Sequence, residues 1–207
     1  MGKNVDIIKV ITHADGGDEY SKNATKYPSN EDCVGLRGYG VDAKDPKTAK
    51  MQFDYVAKFY ENEGKNEYIQ FMMSFLKETA PDAWTAMEIT DQVLDPLKDE
   101  YMILIGVHKK DHQKSDFHTH NFVGTTNIET GKMLHPTNKL NYAMAQRMAN
   151  IIQKPVELVI EKKNKTRKSG STQFQVGTSG KGDNNKSKDF KRVFYPHKTQ
   201  MIKLEIA

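Results

Sequence analysis

The sequence predicts an α+β fold, a central and mainly antiparallel sheet with helices packed on one face. Three observations carry this reading. Apolar or alternating segments at residues 5–12, 68–75 and on both sides of a polar connection within 101–127 read as strands. Helical apolar stripes open at Asp45-Pro46, at Ala80-Pro81-Asp82 and at Asn138. Strands and helices interleave without regular βαβ spacing, and the strands within 101–127 are joined too closely for anything but an antiparallel pair.

Taken in order, VDIIKVIT (5–12) alternates as a first strand, and residues 15–30 form a polar loop or short helix around Tyr20 and Tyr27. CVGLRGYGV (33–41), with three glycines, reads as a turn beside a short extended piece. Asp45-Pro46 starts a helix whose stripe is Ala49, Phe53, Val56 and Tyr60. YIQFMMSF (68–75) is a central strand. The next helix buries Trp84, Met87, Val93, Leu94 and Leu97 and ends by residue 98. After the strand pair, Asn138 caps a third helix with the stripe Leu140, Ala143, Met144, Arg147 and Ile151. PVELVIE (155–161) is a short strand or the end of that helix, and residues 192–195 and 199–206 offer further edge strands.

The 207 residues suit a single domain with a real core. No apolar run approaches the roughly 20 residues of a membrane span. The amino terminus reads as a strand rather than a signal peptide. Cys33 is the single cysteine, which excludes an internal disulfide and a cysteine-based zinc site, and a cytoplasmic protein is expected. From Lys139 onward Lys and Arg outnumber Asp and Glu by ten, although the whole chain carries only +4. The segment 162–191, rich in Gly, Ser, Asn and Lys, reads as a mobile basic arm. Its Lys162, Lys163, Lys165, Arg167, Lys168, Lys188 and Lys191, with Arg192, are candidate phosphate contacts, and Phe174, Phe190, Phe194 and Tyr195 are candidates for base stacking.

The chemistry concentrates in YMILIGVHKKDHQKSDFHTHNFVGTTN (101–127), which holds four of the seven histidines. Strand side chains alternate faces, so His118 and His120 share one face and Thr119 takes the other. Folding the pair antiparallel returns both to His108. Three imidazoles so placed make a divalent-metal cage, with His112, Asp111 and Asp116 in reserve.

These residues resemble the HUH endonucleases, specifically the relaxases of the relaxase/mobilisation nuclease family. The strand ending at His108, the acidic connection with Asp111, and Asp116-Phe117-His118-Thr119-His120 entering Asn121-Phe122-Val123 match the family pattern. So do Asn127, Thr130-Gly131-Lys132 and the upstream Ser74-Phe75. Asn23-Ala24-Thr25-Lys26-Tyr27 is similar to the family's tyrosine motif, and the resemblance spans roughly residues 20–135. Two departures stand out. The connection between His108 and His118 is about three residues longer than the pattern, which makes His112 a rival ligand. Pro28 directly after Tyr27 keeps Tyr20 open as an alternative nucleophile.

The resemblance implies an HUH relaxase-like sheet and an enzyme that nicks one DNA strand at an origin of transfer and can rejoin it. Tyr27 would form a 5′-phosphotyrosyl link, His108, His118 and His120 would hold Mn²⁺ or Mg²⁺, and Asp111 or Asp116 would orient a ligand. Imidazoles taken alone suit Mn²⁺ or Zn²⁺ better than Mg²⁺. The implied partners are single-stranded or hairpin origin DNA, an accessory DNA-binding protein and a type IV secretion coupling protein. The chain would be the amino-terminal nuclease domain of a longer protein. Two other readings stay open: a rolling-circle replication initiator with the same chemistry, and a non-catalytic DNA-binding protein with a structural metal.

Overall fold

The computed structural model describes residues 5–12, 24–112, 115–161 and 190–197. Its strands are β1 (Asp6–Thr12), β2 (Cys33–Tyr39), β3 (Tyr68–Ser74), β4 (Ile103–His112), β5 (Ser115–Gly124), β6 (Val156–Ile160) and β7 (Phe190–Phe194). They form one sheet in the order β2-β4-β5-β3-β1-β6-β7. All neighbours in this sheet are antiparallel except β1 and β6, which run parallel. The expected α+β class is observed.

Among the described residues three long helices pack on the sheet: α1 (Pro46–Phe59), α2 (Ala83–Leu94) and α3 (Asn138–Ile152). The alternation of the central strands sorts the residues into two layers. Ile103, Ile105, Val107 and Val123 face α2 and α3 in the larger core, with Val93, Leu94, Met144 and Met148. Leu104 and Phe122 face the other way and pack with Tyr68 against Ala49 and Phe53 of α1. Helices on one face therefore describes α2 and α3, while α1 covers part of the opposite face. That opposite face is the one the histidines share.

Several local expectations are corrected. In the glycine-rich segment 33–41 the extended piece is longer than expected, the seven-residue edge strand Cys33–Tyr39, because pairing with the apolar β4 outweighs weak intrinsic propensity. The turn comes only at Gly40, whose φ is +64°. Trp84 is exposed rather than buried, with the Arg37 guanidinium 5.8 Å from its ring centre. The third helix is capped by Thr137, whose hydroxyl accepts from the Leu140 amide, and Asn138 is its first residue. Its buried side is Asn141, Met144, Ala145, Met148 and Ala149, which turns the helix away from the expected stripe. Small residues at 145 and 149 let it lie close to the sheet.

Edge strand β2 is fastened to α2 by a polar cluster. Arg37 reaches Glu88 at 3.2 Å and Asp91 at 3.1 Å, and Lys98 reaches Asp91 at 2.9 Å. The Tyr39 hydroxyl also donates to Asp91. These bonds hold the Asp91 carboxyl below its ordinary range even though burial alone would raise it.

Candidate functional site

The β4–β5 hairpin sets the site through its register. His108 lies directly opposite His118, and His120 lies opposite Gly106. All three imidazoles are buried, at 0%, 6% and 6% exposure. Their ring centres are 4.8–5.5 Å apart. One nitrogen from each falls within 4.8 Å of the others, the spacing of a three-imidazole cage. Burial of three imidazoles together is costly unless their ring nitrogens find partners.

The partners differ from ring to ring. His108 Nε2 lies 3.0 Å from the carbonyl oxygen of Pro28. A carbonyl only accepts, so Nε2 carries the proton and donates. That leaves His108 Nδ1 as the ring atom facing the cage, buried and without a hydrogen-bond partner. A cation is what such an orphaned nitrogen fits. His120 Nδ1 lies 3.0 Å from the Gln70 carboxamide nitrogen on β3. Gln70 can serve either tautomer of His120, because a carboxamide offers both a donor and an acceptor. The donor set, three imidazoles, suits a divalent ion.

Over this cage sits a single turn of 3₁₀ helix, Tyr27–Ser29. The Tyr27 ring is 4.6 Å from His120 in an edge-on arrangement and 5.4 Å from His108. Tyr27 is 41% exposed, so it roofs the buried histidines while remaining open to solvent. Pro28, unexpected from the resemblance, is buried at the start of the turn, where a fixed φ and a missing N–H cost nothing. The turn can approach because residue 106 is glycine. A Cβ there would lie 2.3 Å from the Pro28 oxygen and 2.7 Å from its Cα.

The structure thus brings together Tyr27, His108, His118 and His120. His112 pairs with Ser115 at the far end of the hairpin, about 13 Å along the strand from His108. The side chains of Asp111, His112 and Asp116, and all of Tyr20, lie outside the described residues. So do Lys162, Lys163, Lys165, Arg167, Lys168, Lys188 and Phe174. Lys191 is exposed on β7. Arg192 points to the other face, with its guanidinium 5.0 Å from the Tyr142 ring centre and 5.3 Å from that of Phe194. Phe190 stacks on Tyr142, and Phe194 is buried against the same ring. Phe194 is therefore closed to a base, Phe190 is half-buried, and Tyr195 is exposed.

Asn127 proves to be a turn former. Its carboxamide oxygen accepts from the Glu129 and Thr130 amides, and its nitrogen donates to Glu100. Cys33 lies opposite His108 on β2 but stays outside the cage, its thiol pushed up by burial and donating to the Gly35 carbonyl. Gln70 and Gly106 were not singled out from sequence. A lone carboxamide inside the apolar run of β3 and a lone glycine inside that of β4 were the available signals.

The sequence matches the family described as "Relaxase: MobA/VirD2-like, nuclease domain" over residues 20–156. A solved structure concerning the molecular basis of vancomycin resistance transfer in Staphylococcus aureus shares the fold, with a TM-score of 0.52 at 10% sequence identity. The likeness covers 72% of this chain and 91% of that one. No curated protein matches the sequence.

Proposed function

The chain belongs to the MobA/VirD2-like relaxase nuclease family, and from that membership and the histidine cage we propose that it nicks one strand of origin-of-transfer DNA through Tyr27. The observation that carries this reading is the Tyr27 ring, 4.6 Å from His120 above three converging imidazoles. A nucleophile and a site for phosphate charge are thereby adjacent.

Reversible cleavage without loss of bond energy needs a covalent intermediate. The Tyr27 hydroxyl oxygen attacks the scissile phosphorus in line. A tyrosyl O–P bond forms, the P–O3′ bond breaks, and the 3′ oxygen takes up a proton equivalent to the one the hydroxyl gives up. The 5′-phosphate stays on Tyr27, and the free 3′-OH can reverse the step. His108, His118 and His120 would hold a divalent cation, Mn²⁺, Mg²⁺ or Zn²⁺, which when bound supplies positive charge to the non-bridging phosphate oxygens. His108 has a second task, since its Nε2–H holds the Pro28 carbonyl and so orients the turn carrying Tyr27. Packing against His108 and His120 restricts the tyrosine ring before substrate arrives, which favours attack.

The DNA would be a single-stranded or hairpin origin, with an accessory DNA-binding protein and a type IV secretion coupling protein as further partners. Among the described residues no helix is long and apolar enough to cross a membrane. The test is a covalent adduct on a denaturing gel after incubation with Mn²⁺ and a single-stranded origin oligonucleotide. Tyr27→Phe is expected to abolish the adduct, and Tyr20→Phe to leave it. The reverse result would move the nucleophile to Tyr20, and an adduct insensitive to both would remove tyrosine attack in this segment.

A further inference from the structure

Helix α1 is apolar on two faces. Ala49 and Phe53 point into the core, as an amphipathic helix requires. Met51, Tyr55 and Phe59, at i, i+4 and i+8, form a second stripe on the outside and are 69%, 69% and 66% exposed. They are three of the most exposed large apolar side chains among the described residues, and they are contiguous rather than scattered. The Tyr55 and Phe59 rings stack on each other with centres 6.4 Å apart and planes at 26°. Tyr55 and Met51 line an open groove of about 560 Å³, together with Met102 and Ile128.

The stripe leads to the candidate nucleophile. Met51 also lines a second hollow, of about 280 Å³, shared with Lys26, Lys47 and Lys50. Lys26 immediately precedes Tyr27, and both Lys26 and Lys47 are exposed. Lys50 is tied to Asp54 at 2.6 Å, so Lys26 and Lys47 are the cations facing outward there. The groove and the hollow meet at Met51, which lines both; the hollow holds three lysines and Asp54, and the groove holds Tyr55. α1 covers the same face of the sheet as the histidines.

Resting on the nicking role proposed above, we propose that the outer face of α1 is a single-stranded DNA track running away from Tyr27. Lys26 and Lys47 contact phosphates next to the scissile one, and Tyr55 and Phe59 stack on unpaired bases farther along. The combination selects this occupant. Exposed aromatic rings beside lysines are the elements of a stacking platform for single strands. A protein partner's interface core would instead be depleted of lysine. Continuity with Lys26 puts the cationic end next to the residue that takes the phosphate.

The test reads binding without chemistry. Fluorescein-labelled oligothymidylate of about 20 nucleotides is titrated with protein in EDTA, so the result does not depend on adduct formation by Tyr27. The double variant Tyr55→Ala/Phe59→Ala is expected to weaken binding at least tenfold, and Tyr55→Phe to retain it. Lys47→Ala is expected to lower the salt dependence of binding. Far-UV circular dichroism and a melting curve establish that the exposed substitutions leave the fold intact. Wild-type protein that fails to bind the oligonucleotide overturns the track, as does a double variant that binds within twofold of wild type. Unchanged affinity with an altered sedimentation coefficient would also overturn it, and would assign the stripe to contacts between copies. A Tyr27-dependent adduct on origin DNA beside an unaffected double variant would sink the track and leave the nicking role standing.

Discussion

The Nε2–H of His108 donates to the carbonyl oxygen of Pro28 at 3.0 Å, so a candidate metal ligand also holds the turn that carries the candidate nucleophile. The same carbonyl sits where a Cβ of residue 106 would be. The candidate cage and the candidate nucleophile are thus linked by one hydrogen bond, formed across 80 residues of sequence.

Gly106→Ala tests that contact. β4 is held between β2 and β5, so the added methyl must displace the Tyr27–Ser29 turn rather than the strand. The expected cost is about 1–3 kcal/mol of stability. Misplacing a nucleophile by about 1 Å can cost about 100-fold in rate. Single-turnover adduct formation should therefore fall at least tenfold in a variant that still melts cooperatively. A wild-type rate would show that the turn is not held as described.

Gln70 is the buried partner of His120 Nδ1. Gln70→Leu leaves that nitrogen without its carboxamide in a dry site. Outer partners of metal-binding histidines typically contribute about 10–100-fold in affinity. Titration calorimetry with Mn²⁺ should show a loss in that range, and Gln70→Glu should recover most of it. Equal Mn²⁺ affinity in wild type and Gln70→Leu would argue against His120 as a ligand.

The Asp91 carboxyl makes stability depend on acid. Its folded pKa is lowered from 3.8, with burial opposing and the bonds to Tyr39, Lys98 and Arg37 prevailing. A lowered folded value means the contribution is present above the unfolded pKa and is lost as pH falls through the folded one. Asp91→Asn should cost about 1–2 kcal/mol near pH 7 in urea unfolding. The gap between variant and wild type should narrow once the pH drops below 3.8. A gap unchanged down to pH 2.5 would contradict the assignment.

The basic segment lies outside the described residues over 162–189, while Phe190 and Lys191 begin β7, and its role rests on charge. Each phosphate contact on a single strand contributes about 0.7 to the slope of log affinity against log salt. Replacing Lys162, Lys163, Lys165, Arg167 and Lys168 with alanine should lower that slope by about 3.5 if all five bind phosphates. Binding isotherms at several salt concentrations measure it directly, and an unchanged slope would exclude these side chains as DNA contacts.

The sequence by itself determined the α+β class and the shared face of His118 and His120 near the end of the preceding strand. Period-two alternation puts His118 and His120 on one face of an antiparallel pair, while the choice of His108 over His112 came with the register that sets His108 opposite His118. It also marked Tyr27, through its local motif. The tertiary structure decided that Tyr27 lies against His108 and His120, and that the Pro28 carbonyl and the glycine at 106 bring it there. It likewise turned Trp84 outward, rotated α3 and moved α1 to the histidine face. Periodicity specifies which residues share a side of one element. Which neighbour covers that side depends on packing between segments far apart in the chain, and local pattern carries no record of it.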